Sequence, residues 1–531
     1  MKKFIIKASF LLVTATAFVG CKKDLEEKFN NPEKAQEANV AGLFTAMLNN
    51  DRVAAKYWNV RTFLTQMPGV YAQTAYIANG NSIYRQSDDY AQQYWDDFYA
   101  TGGNGSGSMS LYRAMELKYN SLAATEQAAQ KNLMQAGKVV LIEQAAKMVD
   151  LWGDIPYTEA GSLPATSVIK NPKYDEQKAL YNSFLTDLAS IATYFRTSTT
   201  NSTFSKADIL LKGDVNKWAR YANSLRLRLL MRISKTDEAT ARTSVLEMLN
   251  NQTNNPLIDG GNTALYNPGN SDVLLQPLTN STSDLHDAFF EGSWYATDYA
   301  LNTVMLPAND PRIRVIYDKF GRGAGTNFVP NANYRAMPIT FTTAQQESSF
   351  ADYSVLDSAT FLYNQKLPGI LITASEVNLL KAEAYERWGT TADAKVAYDN
   401  ALKQSVAFYY YLNNLNQGGG FKNEVAPTPA IVDAWVNTST AAYNGTSADK
   451  VAKILTQKWL HFGVLQSTEA WSEYRRTGIP ALTFPTTGKL AGFDTPPTRL
   501  LYPAKERTLN IENYQAVASK DTRKTKIFWM P

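Results

Sequence analysis

Histidine and cysteine are nearly missing from this chain of 531 residues, which holds two His (His286 and His461) and one Cys (Cys21). Two histidines leave no room for a His-rich zinc constellation or an HExxH helix, and little for a histidine-led proton relay. One cysteine excludes an internal disulfide, a CxxC redox pair and a thiolate metal cluster. The GxxxxGK[ST] phosphate loop, the GxGxxG fingerprint and the GxSxG nucleophile elbow are also absent. The Gly-rich stretches 102–107 and 321–325 match none of these spacings. No metal, nucleotide or other cofactor is called for.

What is there begins with a targeting segment. Lys2, Lys3 and Lys7 precede an apolar run over 8–19, too short for a permanent membrane helix and the right length for a secretory signal. The run ends at Phe18-Val19-Gly20-Cys21, which resembles a bacterial lipobox: residues 1–20 would be removed and Cys21 would become the acylated first residue. An ordinary signal peptide with an incidental cysteine is the alternative. Loss of residues 1–20 removes three Lys and no acid, so the formal charge of +4 falls to +1. A nearly neutral mature chain lacks the concentrated basic surface that a nucleic-acid binder needs. Residues 21–35 read as a tether, and Lys22-Lys23-Asp24-Leu25-Glu26-Glu27 resembles the leaders of Bacteroidetes surface lipoproteins. With 44% hydrophobic residues, 19% charged residues and a mean hydropathy of −0.32, the body reads as soluble and globular. Its aromatic content is high, with 23 Phe, 10 Trp and 30 Tyr.

Helical periodicity occupies two regions, about 36–250 and 372–480. Val139, Ile142, Ala146 and Val149 form one apolar stripe; Tyr181, Phe184, Leu185, Leu188 and Ile191 form a second; Trp218, Tyr221, Ala222, Leu225 and Leu229 form a third. Between about 251 and 371 Asn, Pro, Gly, Thr and Ser dominate, which predicts loops, short helices and a few strands; 412–447 is also expected to be irregular. Over 376–404, Ala384, Tyr385, Gly389, Ala394, Tyr398, Ala401 and Leu402 follow the tetratricopeptide offset, in which small residues let paired helices approach closely. The expected fold is mainly α, a tetratricopeptide-like scaffold of helical pairs in an α/α superhelix with a loop-rich portion and a little β. A plain helical bundle would use the same stripes.

Leu151-Trp152-Gly153-Asp154-Ile155-Pro156-Tyr157 resembles the "WGDxPY" turn of the SusD/RagB family of outer-membrane nutrient-binding lipoproteins. Gly153 would end the helix and Pro156 would forbid its resumption. The segments 218–234, 454–480 and 499–510 resemble the family's next long helix, its late helical segment and its closing motif. The resemblance implies one SusD-like domain over 36–531 and a lipid-anchored place on the outer membrane facing the exterior. It also implies capture of glycans or, alternatively, peptides, partnership with a SusC-like TonB-dependent transporter, and no catalysis. A secreted glycoside hydrolase is a third reading, but no segment singles out its two carboxylates.

The family motifs do not mark a ligand site. Trp152, Trp218, Trp459 and Trp471 fall in or beside helical stripes and are expected in the core; Arg475, Arg476 and Glu506 are expected in structural ion pairs. A neutral sugar presents an apolar face ringed by hydroxyls, so its receptor needs flat aromatic surfaces flanked by polar groups. Two segments outside the stripes have that make-up. The first, 70–85, carries Tyr71, Gln73, Tyr76, Asn79, Asn81, Tyr84 and Arg85; the second, 290–302, carries Trp294, Tyr295, Asp298, Tyr299 and Asn302. Of these, Tyr71, Tyr76, Asn81, Tyr84, Arg85, Trp294, Tyr295, Asp298 and Tyr299 are the candidate ligand contacts.

Overall fold

The computed structural model describes residues 38–531 apart from 55, 77, 101–106, 262, 279–283, 293, 324 and 416–422. The signal segment, Cys21 and the tether lie outside the described residues.

Apolar stripes become buried helix faces. Helix Ala124–Trp152 carries Val139, Ile142, Ala146 and Val149 fully into the core, helix Gln177–Thr197 carries Tyr181, Phe184, Leu188 and Ile191, and helix Val215–Ile233 carries Trp218, Tyr221 and Leu225. The last two helices pack together. Helices Ala374–Trp388 and Thr391–Asn414 pack together along their length, joined at Gly389 and Thr390, with Ala384, Ala394, Tyr398 and Ala401 buried between them and their neighbours. Thr373 and Thr390 cap the two helices by accepting from the Glu376 and Asp393 amides. This is the mainly helical fold that the periodicity predicts.

Helix Ala124–Trp152 ends at Gly153, whose φ of 82° suits glycine. The turn after it is fastened to the far end of the chain. Trp152 donates its indole N–H to the Leu501 carbonyl at 2.9 Å, and Tyr502 donates its hydroxyl to the Asp154 carbonyl at 2.6 Å. Lys520 reaches the Asp154 carboxylate at 2.6 Å. Two motifs some 350 residues apart in sequence are therefore one joint.

Buried charges knit the scaffold helices. Arg228 forks onto Glu376 at 2.6 and 2.8 Å, and Arg232 contacts Asp150, Glu469 and Glu473 at 2.8, 2.7 and 3.0 Å. Arg476 forks onto Glu383 at 2.8 and 2.7 Å, and Lys458 contacts Glu473 at 2.6 Å. Burial pushes the Glu383 carboxyl up, but Arg476 and Lys458 outweigh it and hold the group down at about 2. Arg475 departs from the expected ion pairing. It stacks 3.7 Å from the Trp471 ring centre and donates to the Asp150 and Thr498 carbonyls. Glu506 likewise takes hydrogen bonds from Tyr174 and Asn510.

The segment 251–371 holds short helices, two π-helical segments (Tyr299–Met305 and Ser358–Leu362) and short strands. Val273–Leu275 pairs antiparallel with Gly369–Ile372, Tyr317–Asp318 with Val355–Leu356, and Gly321–Arg322 with Val329–Pro330. The expectation of irregular chain over 412–447 is corrected in part: helix Thr391–Asn414 runs into it and helix Pro429–Thr438 lies inside it, with Pro429 at the first helical position, where its missing N–H costs nothing. Trp435 and Val436 of that helix are buried. Among the described residues no helix is long and apolar enough to cross a membrane.

Candidate functional site

Trp294 stands at the centre of a group of aromatic rings on the loop-rich portion. Its backbone is held in extended form: the Leu356 amide donates to the Trp294 carbonyl at 2.6 Å, and the Ala296 amide donates to Ser354 at 2.9 Å. The Trp294 ring lies 5.1 Å from Phe290, 5.4 Å from Tyr295 and 5.2 Å from Phe320, centre to centre. Tyr295 in turn stacks on Phe350 at 4.9 Å and meets the edge of Tyr76 at 5.2 Å. Phe290 is four residues beyond His286 on helix Asp284–Gly292, and the two rings stack at 5.6 Å; His286 also stacks on Tyr363 at 4.7 Å. Phe328 extends the group past Phe320 at 6.5 Å.

These rings are partly open to water. Phe290 is 56% and Phe328 43% exposed, and Trp294, Tyr295 and Tyr76 are half-buried. Burial pushes the Tyr76 and Tyr295 hydroxyls up, so both stay protonated at neutral pH and can donate a hydrogen bond. Two ion pairs lie at the rim, Arg322 with Asp352 at 2.6 Å and Arg61 with Glu291 at 3.0 Å; Arg335 also approaches Asp352 at 3.9 Å, and Lys319, beside Phe320, donates to the Ala332 carbonyl. The surface is thus aromatic and hydroxyl-bearing. Phe320 adopts φ 55°, a left-handed backbone that a bulky side chain rarely takes. Such strain persists only where the surroundings hold it, and here it holds a ring against Trp294.

The structure brings together Tyr76, Trp294 and Tyr295 from the two candidate segments and separates the others. Tyr71 and Tyr84 are fully buried and offer no open ring face, which corrects their candidacy as contacts. Tyr71 packs 5.1 Å from Trp471, and Tyr84 packs against Phe484 while its hydroxyl donates to the Pro485 carbonyl. The cause is the chain's distant end: segment 483–493 folds over 70–85. Gln73 donates to the Thr483 carbonyl at 2.7 Å, Lys489 holds Asn79 and the Gly80 carbonyl, and the Leu490 amide donates to the Asn81 carbonyl. Asn81 and Arg85 remain exposed, with Arg85 6.0 Å from the Phe493 ring centre.

Asp298 positions the wall from behind. One carboxylate oxygen accepts from Asn302 at 2.8 Å and the other from the Ile339 amide at 2.9 Å, while Asn302 exchanges two bonds with the Ala336 backbone. This clasp holds the segment that places Met337 against the Tyr76 hydroxyl. Tyr299 turns to the scaffold, edge-on to Trp459 at 5.9 Å. Phe320, Phe328, Phe350, His286 and Tyr363 escaped sequence reasoning because no local pattern connects them. The other histidine, His461, is buried between Thr373 and Ser405, and burial together with nearby Arg312 drives it down to about 3, so it stays neutral. Among the described residues no group of three or more His, Cys, Asp or Glu side chains could hold a metal ion.

With this architecture in place, the comparisons assign the class. Residues 32–503 match the family model SusD-like_2, described as "Starch-binding associating with outer membrane", and the chain belongs to that family. Among solved structures it is similar to a chitin-binding protein at 24% identity, with a TM-score of 0.72, covering 93% of this chain and 100% of the other. A SusD-like protein from Bacteroidetes AC2a is 21% identical with a TM-score of 0.71, and covers 93% and 100%. A chitin-binding SusD homologue from Flavobacterium johnsoniae is 21% identical with a TM-score of 0.66, and covers 92% and 98%. No curated protein matches.

Proposed function

We propose that the protein is a surface lipoprotein, anchored in the outer membrane through acylated Cys21, that captures a neutral oligosaccharide and delivers it to a SusC-like TonB-dependent transporter without altering it chemically. The observation that carries the reading is the half-exposed aromatic wall around Trp294, with the Tyr76 and Tyr295 hydroxyls at hand. Flat rings cover the C–H faces of sugar units and the phenols bind their hydroxyls. The family description, which names starch binding and the outer membrane, supports the same reading.

Affinity is expected to be modest. Two or three ring contacts at roughly 0.5–1.5 kcal/mol each and as many hydrogen bonds at about 1 kcal/mol each give about 3–7 kcal/mol. That corresponds to dissociation constants of about 10 μM to several mM. Tethering beside a transporter makes such strength sufficient, because proximity raises the effective concentration. Native gels cast with individual polysaccharides test the reading: one of them should retard the protein, and Trp294→Ala should migrate freely while keeping its helical circular-dichroism signal. Unretarded migration through a broad panel of neutral glycans would count against it.

A further inference from the structure

Between the π-helical segment Tyr299–Met305 and helix Ser447–Phe462 runs an open groove of about 220 Å³. Tyr299, half-buried and edge-on to Trp459, lends its ring to the lining, and Val304, Ala441 and Ala452 add apolar surface. Among the described residues, none of the rings grouped around Trp294 lines it.

The lining holds hydrogen-bonding groups that the fold leaves unused. Gln457 is only 4% exposed, and its Oε1 accepts from Arg312 at 2.7 Å. That bond fixes which end of the amide is the oxygen, and the Nε2 donors have no partner among the described residues. An amide buried this far is normally bonded at both ends. Thr303 and Thr456 sit on helical turns, where Thr186, Thr193, Thr438 and Thr508 each donate to the carbonyl four residues back. Neither Thr303 nor Thr456 does so, and the Thr440 hydroxyl is likewise unengaged among the described residues. The other polar groups are spent. Lys453, the one charged residue among those described on the lining, donates to the Ala442 carbonyl at 2.8 Å, to the Asn444 carbonyl at 3.2 Å and to the Asn444 side chain. Tyr398 gives its hydroxyl to the Ala441 carbonyl at 2.7 Å.

We infer that this groove is a second ligand site, for one uncharged sugar ring: a free monosaccharide or the end ring of a short oligosaccharide. The Tyr299 ring would meet its C–H face, with Gln457, Thr303, Thr440 and Thr456 on its hydroxyls. Sugar hydroxyls both donate and accept, which suits a set made of one amide donor and three hydroxyls. The volume lies below the roughly 300–1,000 Å³ of sites for drug-sized ligands and gives room for a single ring. A sugar acid would find no ammonium proton free, since Lys453 has three and gives all of them away. The groove stands apart from the Trp294 wall. A polysaccharide offers few chain ends, so its grip on the protein in a gel still depends on the wall.

Saturation-transfer NMR on the purified protein tests the site, with the methyl glycosides of glucose, N-acetylglucosamine, galactose and mannose as probes and glucuronate as the anionic control. At least one glycoside should respond at millimolar concentration, and the response should persist in Trp294→Ala. It should fall several-fold when Thr303→Val and Thr456→Val are combined, and again in Tyr299→Leu. The threonine pair removes only hydroxyls without partners, so its Tm should stay near that of the wild type and its retardation by polysaccharide should be intact, which separates the groove from the wall. Crystals soaked with the responding glycoside should show its ring beside Gln457. Silence from all the glycosides, a response to glucuronate alone, or a response that Trp294→Ala abolishes and the threonine pair leaves unchanged would overturn the site.

Discussion

Replacing Glu383 by Gln removes one negative charge from the buried lattice that holds the scaffold helices together. Glu383 is buried, receives both arms of Arg476 at 2.8 and 2.7 Å and has Lys458 at 3.4 Å and Arg387 at 3.3 Å. A carboxyl that falls from 4.5 in the unfolded chain to about 2 in the fold contributes about 3 kcal/mol at neutral pH. Removing one partner of a buried pair costs about 3–5 kcal/mol, which agrees. Unfolding entropy for a chain of this size is about 1 kcal/mol per degree, so Glu383→Gln should lower Tm by about 3–5 °C at pH 7. The sign of the pH dependence follows from the lowered pKa. The contribution is complete above the unfolded value of 4.5 and fades as pH falls toward 2. Calorimetry of both proteins from neutral pH down to about pH 3 should therefore show a constant gap that narrows below about pH 5. A gap under about 1 °C at pH 7, or one that does not narrow, would refute the reasoning.

Other outcomes follow from the same contacts. Tyr71→Phe should leave glycan retardation intact and hold or raise Tm, because the buried Tyr71 hydroxyl has no hydrogen-bond partner among the described residues and burying one unpaired costs about 1–3 kcal/mol. Asp298→Ala should weaken retardation several-fold without its side chain touching ligand, since the Ile339 amide and Asn302 lose their acceptor; added glycan should then shift Tm less than in the wild type. Gly369→Ala should destabilise strand Gly369–Ile372, where a Cβ would sit 2.1 Å from the Val53 carbonyl oxygen, and thermal melts should show it.

The scaffold was legible because its signal is local and repeated. Apolar residues at helical spacing placed Trp152, Trp218, Trp459 and Trp471 in the core, and all four are buried there. The Ala, Gly and Tyr offsets over 376–404 similarly marked the pair Ala374–Trp388 and Thr391–Asn414. The site was half legible. Trp294, Tyr295 and Tyr76 stood out as rings among polar loop residues, and the fold does bring them together. Tyr71 and Tyr84 had the same local composition but are covered by segment 483–493, and a contact across some 400 residues leaves no mark on local pattern. Phe320 and Phe350 join the wall through a strained backbone and a stacked pair, neither of which composition reveals. Asp298 looked like a sugar ligand, and its carboxylate accepts from the Ile339 amide and the Asn302 side chain folded back upon it, a long-range arrangement that composition does not show.

The most direct measurement of the central claim is a crystal structure of the protein with the oligosaccharide that retards it. Sugar rings should lie against Trp294 and its neighbours Phe290, Tyr295 and Phe320, with hydroxyls within reach of Tyr76 or Tyr295. Ordered sugar bound instead on the helical scaffold, with the Trp294 wall untouched, would contradict the account.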